Sequence, residues 1–160
     1  MAGMCDADWF CGQVEQLKPT MFRVAYAILR CEADCEDAAA SAVLRAYRYF
    51  GSLRNPADFR AWLLRILKNE CYTMLRKRPP TVPLDETQPY EQTMPDMDLA
   101  AAFAELPEDA RVALTLYHRE GYAVREIALV LGEPEGTVKS RLSRARTLLR
   151  QKLEQGGQGA

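Results

Sequence analysis

The side chains best suited to chemistry in this chain are basic. Between positions 137 and 153 the charged residues are Lys139, Arg141, Arg144, Arg146, Arg150 and Lys152, and no acid interrupts them. Such a row suits phosphate oxygens, and an arginine fork can also read a guanine edge. A second row, Arg60, Arg65, Lys68, Arg76, Lys77 and Arg78, is opposed only by Glu70. Residues 79–98 carry acids alone: Asp85, Glu86, Glu91, Asp96 and Asp98. A formal net charge of −1 over 160 residues argues against a general polyanion binder. The segregation instead predicts two separate phosphate-facing surfaces.

Other chemistries find little support. His118 is the single histidine, and the chain has no HExxH, no glycine-rich phosphate loop and no nucleophile elbow. We therefore expect no enzyme and no cofactor. The five cysteines are an odd set without framework spacing, as befits free thiols in a reducing compartment. Cys31 and Cys35, one helical turn apart, offer half of a tetrahedral site at most, so no metal is expected. Their neighbours are acids, which do not favour a reactive thiolate. No apolar run is long enough to span a bilayer, and the first ten residues lack the pattern of a secretory signal. The expected compartment is the cytoplasm.

The elements that must position these groups are helical: an all-α chain of two small domains. Five of the nine prolines fall between Arg78 and Asp98, so no helix crosses that stretch. It reads as an extended, partly polyproline linker. The divisions are residues 8–78, a linker at 79–98, and residues 99–155. In the first domain Phe22, Ala25, Tyr26 and Leu29 mark one helix. Ala38, Ala42, Leu44, Ala46 and Tyr47 mark a second, opened by acids that suit a helix N-terminus. Gly51, Asn55 and Pro56 make a loop. Phe59, Trp62, Leu63, Ile66, Leu67, Cys71, Met74 and Leu75 then form one long amphipathic helix. Phe59 and Trp62 are read as core. After the linker come helices over 99–106, from Pro107 to near Gly121, over 123–131, and from Pro134 to about Glu154.

Residues 122–146 have the mechanics of a helix-turn-helix. Ile127, Ala128 and Leu131 face inward, Gly132 permits the turn, and Val138, Leu142, Ala145 and Leu149 form the apolar stripe of the second helix. The opposite face presents Glu135, Lys139, Ser140, Arg141, Ser143 and Arg144, as a helix reading the major groove would.

The motifs Leu106-Pro107-Glu108, Glu120-Gly121-Tyr122, Glu126-Ile127-Ala128 and the unbroken run from Gly132 to Arg146 resemble region four of the ECF (extracytoplasmic-function) sigma factors. The resemblance implies that Glu135, Thr137, Lys139, Ser140, Arg141, Ser143 and Arg144 contact the minus-thirty-five promoter element. Phe22-Arg23-Val24-Ala25-Tyr26, Ala33-Asp34-Cys35-Glu36-Asp37-Ala38, Leu44-Arg45-Ala46-Tyr47 and the run from Phe59 to Glu70 resemble region two of the same family. It implies minus-ten binding and capture of a flipped base by the loop at 49–56 and the helix after it. Holding unpaired bases requires a basic groove with pockets. Tyr49, Phe50, Arg54 and Asn55 supply the loop. Arg60, Arg65, Asn69, Thr73 and Arg76 recur near whole turns and are expected to share one face. Asn69 is the best amide for a base edge.

The resemblance further implies core RNA polymerase as partner, through its β′ clamp helices and β subunit, with Asp34, Asp37, Ser41, Leu44 and Arg45 on the docking helix. The family often has Gln-Glu at Ala40-Ser41, so two polar contacts are expected to be missing. Promoter DNA and an anti-sigma factor complete the implied partners, with no membrane insertion. A helix-turn-helix regulator working without polymerase is the competing reading, but it leaves residues 49–76 without a role. The linker acids are a candidate to lie along a basic stripe and compete with DNA.

Overall fold

A computed structural model describes residues 4–78 and 97–158, and every regular element among them is helical. Seven α-helices follow in order: α1 Met4–Leu29, α2 Glu32–Arg48, α3 Phe59–Lys77, α4 Met97–Ala104, α5 Glu108–Leu114, α6 Val124–Leu131 and α7 Glu135–Gln158. No helix of the described residues is long and apolar enough to cross a membrane. The proline-rich stretch lies outside the described residues up to 96, so the expected linker conformation and the placement of Asp85, Glu86, Glu91 and Asp96 lie outside them too. Its last two positions, Met97 and Asp98, belong to α4 rather than to a linker.

α1 starts 18 residues before Phe22, where the apolar pattern had first suggested a helix. The reason is a stripe of Phe10, Val14, Leu17, Met21, Val24 and Ile28, alternating in steps of four and three and buried throughout. Pro19 sits inside this helix on its exposed side, where the lost hydrogen bond is outweighed by the burial opposite. α2 buries only small residues, Cys35, Ala38, Ala42 and Ala46, which lets it lie close to α1 and α3. α3 fills the middle with Phe59, Leu63, Leu64, Leu67 and Cys71. Phe59 is 1% exposed and is ringed by Trp9, Phe10, Phe50 and Trp62 at centroid distances of 5.1, 5.6, 6.2 and 5.9 Å. Phe59 is core, as expected, and Trp62 is half-buried against it.

The second half folds as α4 to α7. α5 widens into a π-helical turn, Thr115–Arg119, which the sequence pattern did not foretell. Gly132 closes α6 in the left-handed region (φ 68°), its N–H donating to Ala128 O at 2.8 Å. α7 then packs Val138, Leu142 and Ala145 inward.

The two halves are not independent bodies. α5 packs on α1, α6 packs on α3, and the buried apolar side chains of both halves belong to one continuous cluster. This corrects the expectation of two separate surfaces: part of the α3 basic row faces the second half instead of solvent.

Candidate nucleic-acid interface

The helix-turn-helix is built as its sequence suggests. Ile127, Ala128, Val130 and Leu131 of α6 are buried against Val138, Leu142 and Ala145 of α7. Pro134 accepts the first amide bonds of α7, from Thr137 and Val138 at 3.1 and 3.2 Å. On the outer face Glu135, Thr137, Lys139, Ser140, Ser143 and Arg144 are all exposed. Arg141 differs. It is half-buried, with Nη2 2.6 Å from Glu133 Oε1 and Nη1 3.7 Å from Asp109 Oδ2. Thr137, Ser140, Arg141 and Arg144 line one groove together with Pro107 and Ala110 of the α5 start. A groove of hydroxyls and guanidinium groups beside a helix N-terminal half suits a duplex edge and its phosphates.

The region-two candidates divide into four groups. Tyr49, Arg54 and Asn55 are exposed on the loop, where Asn55 Oδ1 accepts from Ala57 N at 3.1 Å and so caps a short turn at Pro56–Asp58. Phe50 instead joins the aromatic cluster, 5.5 Å from Phe10 and 5.7 Å from Trp9, and holds the loop to the core. On α3, Arg65, Asn69, Thr73 and Arg76 lie along one side. Thr73 Oγ1 donates to Asn69 O at 2.9 Å, and Arg76 donates to Thr73 Oγ1 at 3.2 Å. Arg60 does not share that side. At ~100° per residue it sits about 180° from Asn69, and it reaches into α6. Its Nε and Nη2 each lie 2.6 Å from Glu126, and its guanidinium stacks 4.1 Å above the Tyr122 ring. The expectation of a single face for all five residues fails at Arg60, because five residues from Arg60 to Arg65 exceed a whole turn by ~140°.

The electrostatics follow the pairing. The hydrogen bonding that Arg60 donates to Glu126 raises Arg60 and, for the same reason, holds the Glu126 carboxyl below its ordinary value. Burial pushes the Tyr122 hydroxyl up to about 12. Lys68 is pulled down by burial; its amine donates to Leu131 O at 3.2 Å, at the C-terminal end of α6. These contacts escaped the sequence reading. The available signal was Lys68 itself, which stands among Leu64, Leu67 and Cys71 on the buried side of α3.

On α2, Asp37, Ser41, Leu44 and Arg45 are exposed, with Leu44 at 71%, while Asp34 is half-buried against Arg78. Arg45 Nε lies 2.6 Å from Glu70 Oε1. Leu44 and Tyr47 together leave apolar surface on a helix whose other side is fully packed. Cys31 opens α2, and burial pushes the Cys35 thiol up to about 12.

A helical bundle carrying exposed base-pocket candidates, followed by a helix-turn-helix with a basic outer face, defines a two-part DNA-binding protein. Residues 13–79 match the sigma-70 region 2 family, and residues 96–149 match the sigma-70 region 4 family. The chain is 37% identical over 135 residues to the ECF RNA polymerase sigma factor SigM of Mycobacterium tuberculosis, covering 81% of this chain and 69% of that one. It is 32% identical over 142 residues to the ECF RNA polymerase sigma-E factor of Escherichia coli, covering 76% and 74%. Among solved structures it is similar to the sigma factor RpoE of Bartonella quintana in complex with the anti-sigma factor NepR. There the TM-score is 0.72 and the identity 25%, over 91% of this chain and 96% of that one. The chain belongs to the ECF RNA polymerase sigma factors.

Proposed function

We propose that the chain is a sequence-specific transcription initiation factor that binds core RNA polymerase, directs it to promoters and helps melt the DNA. The observation that carries this reading is the presence, in one chain and in the family's order, of both sigma regions with their outer faces built as described. α7 grips the minus-thirty-five duplex through Arg144, Lys139, Ser140, Ser143, Thr137 and Glu135, with Arg141 behind them. Asn69, Thr73, Arg65 and Arg76, with Tyr49, Arg54 and Asn55, form the face toward unpaired minus-ten bases; planar amide and guanidinium groups on one helix side support that role. The exposed side of α2, from Asp34 and Asp37 to Ser41, Leu44 and Arg45, docks on the polymerase. Leu44 and Tyr47 supply the apolar contact a protein partner requires, and the aliphatic part of Arg45 extends it.

The chemistry of RNA synthesis belongs to the polymerase, and this chain acts without cofactor or metal. Its working place is the cytoplasm, where the polymerase and its template are found. An anti-sigma factor is a further partner, as family membership and the Bartonella quintana complex support. A regulator that never meets polymerase would leave both the α2 face and the α3 face idle. Run-off transcription with core polymerase over a genomic fragment library tests the proposal. Defined transcripts that depend on the chain are expected; absence of any, together with no co-purification of core enzyme, overturns it.

A further inference from the structure

Trp9 lies on the second turn of α1, ahead of residues 13–79, the segment matched to sigma-70 region 2. Its indole is held from one side by two rings. Phe59 meets it edge-on at 5.1 Å and 72°, and Phe50 lies closer to parallel, at 5.7 Å and 35°. The rest of the ring is open, leaving the residue 37% exposed. Covering Phe59 needs an apolar side chain but not an indole, and a leucine there would leave less apolar surface in water.

The loop that Phe50 anchors carries the exposed residues Tyr49, Arg54 and Asn55. Through Phe50, Trp9 stands at the edge of the loop assigned to the unpaired strand. The surrounding charge is selective. From residue 38 to residue 57 there is no acid, while Arg48 and Arg54 are exposed. Aromatic faces beside guanidinium groups suit a strand that has bases to stack and phosphates to pair, whereas a duplex offers no open base face. Asp6 and Asp8 precede Trp9 on α1, which leaves the phosphates to the loop side and a base to the indole.

We propose that Trp9 is a base-binding residue: its indole, backed by Phe50, stacks on one unpaired base of the melted non-template strand and extends the minus-ten site from the loop onto α1. The inference rests on the initiation-factor reading and adds to it a contact from outside the matched region-two segment. Because two rings already fix the indole, little side-chain freedom is lost when a base arrives.

The test uses holoenzyme of the full-length chain and a promoter fragment recovered with it, the non-template strand unpaired over the minus-ten element. Affinity is compared for wild type, Trp9→Leu and Trp9→Phe, and for fragments with an abasic site at each unpaired position in turn. Urea midpoints of the free proteins check folding. Trp9→Leu is expected to bind the unpaired fragment about fivefold more weakly or worse, within the roughly 5- to 150-fold that one base–aromatic stack implies. Trp9→Phe keeps a ring and should stay within about threefold of wild type. On minus-thirty-five duplex alone all three should bind alike. At one position the abasic site should weaken wild type by a similar factor and add nothing to Trp9→Leu. Iododeoxyuridine at that position should crosslink wild type at Trp9 on irradiation, located by mass spectrometry; should Trp9→Leu lower the urea midpoint, this readout decides. Equal binding by Trp9→Leu and wild type, additive losses at every abasic position, or crosslinks confined to residues 49–76 would each overturn the proposal. So would a loss shared by the minus-thirty-five duplex, which would make Trp9 a contact to polymerase. A wild-type holoenzyme that gains nothing from the unpaired strand strikes the initiation-factor reading and this proposal with it; a gain that survives Trp9→Leu strikes this proposal alone.

Discussion

Arg141 and Arg144 are one helical turn apart, and sequence alone assigns them the same job. Their surroundings separate them. Arg144 is exposed on the lining of the α7 groove. Arg141 is 25% exposed and holds Glu133, which is 24% exposed. Among the described residues, Arg141 Nε and Glu133 Oε2 are buried without a hydrogen-bond partner, so this pair already carries some desolvation cost. Removing Arg144 should delete a DNA contact and little else: ~1–3 kcal/mol of binding if the fork meets a base edge, or about 5- to 150-fold in affinity. The folded protein should change by no more than ~0.5 kcal/mol. Removing Arg141 should leave the Glu133 carboxylate half-buried and unpaired, destabilising region four by ~1–3 kcal/mol. Promoter affinity, measured on protein that is still folded, should then fall less than for Arg144→Ala.

Urea unfolding followed by circular dichroism gives the stability, and fluorescence anisotropy of holoenzyme on minus-thirty-five duplex, at one fixed salt concentration, gives the affinity. Adding Glu133→Gln to Arg141→Ala should restore most of the lost stability, because no unpaired charge then remains. If Arg141→Ala keeps the wild-type urea midpoint and loses at least as much affinity as Arg144→Ala, the reasoning fails. Arg141 would then be a reader that leaves Glu133 for DNA.

Three further outcomes follow from the packing. Phe59→Ala removes a ring in contact with four aromatic neighbours and should cost ~3–5 kcal/mol, read as a lower urea midpoint. Glu126 is held below its ordinary pKa, first by the Arg60 hydrogen bond. For Glu120, burial pushes upward, but Arg23 and Thr20 outweigh it and the net displacement is downward. Depressed carboxylates stabilise the fold above their unfolded values near ~4.3, and that contribution disappears as pH falls through the native ones. The melting temperature should therefore be level between about pH 6 and 8 and drop below about pH 4, less steeply in Glu126→Gln. Arg119 and Arg125 also face these acids, and the Tyr122 hydroxyl beside them, raised by burial, stays protonated in that window. Finally, Cys35 and Cys71 are buried, with thiols pushed up by desolvation, and should resist alkylation until the chain unfolds, as site-mapped mass spectrometry would detect. Labelling of either at native rates would contradict their burial.

How far the sequence carried can be judged element by element. α3, α6 and α7 were legible because each has an apolar period, a breaker and a start signal that agree, and Gly132 and Pro134 mark the turn between the last two. The outer face of α7 was legible for the same reason. α1 was read short, from Phe22 onward, although the stripe from Phe10 to Ile28 starts earlier and continues through Pro19. The π-helical turn left no signal, since a single widened turn changes no residue preference that the pattern can show.

Charge segregation misled in an instructive way. A basic row on a helix was taken as surface awaiting phosphate, yet an arginine is equally satisfied by a carboxylate of the same chain. Arg60 and Glu126 are 66 residues apart, so no local spacing rule links them. Their meeting is decided by the docking of α6 on α3, which buries Leu64 and Leu67 on one helix and Ile127 and Leu131 on the other. The acids Glu120 and Glu126 lie in the segments that read as ordinary helix-turn-helix scaffold, where a structural role alone needs no charge. That both instead face basic residues of region two, Arg23 on α1 and Arg60 on α3, ties the scaffold of one module to the helices of the other. The docking of region four on region two therefore rests on an apolar seam flanked by these charged pairs.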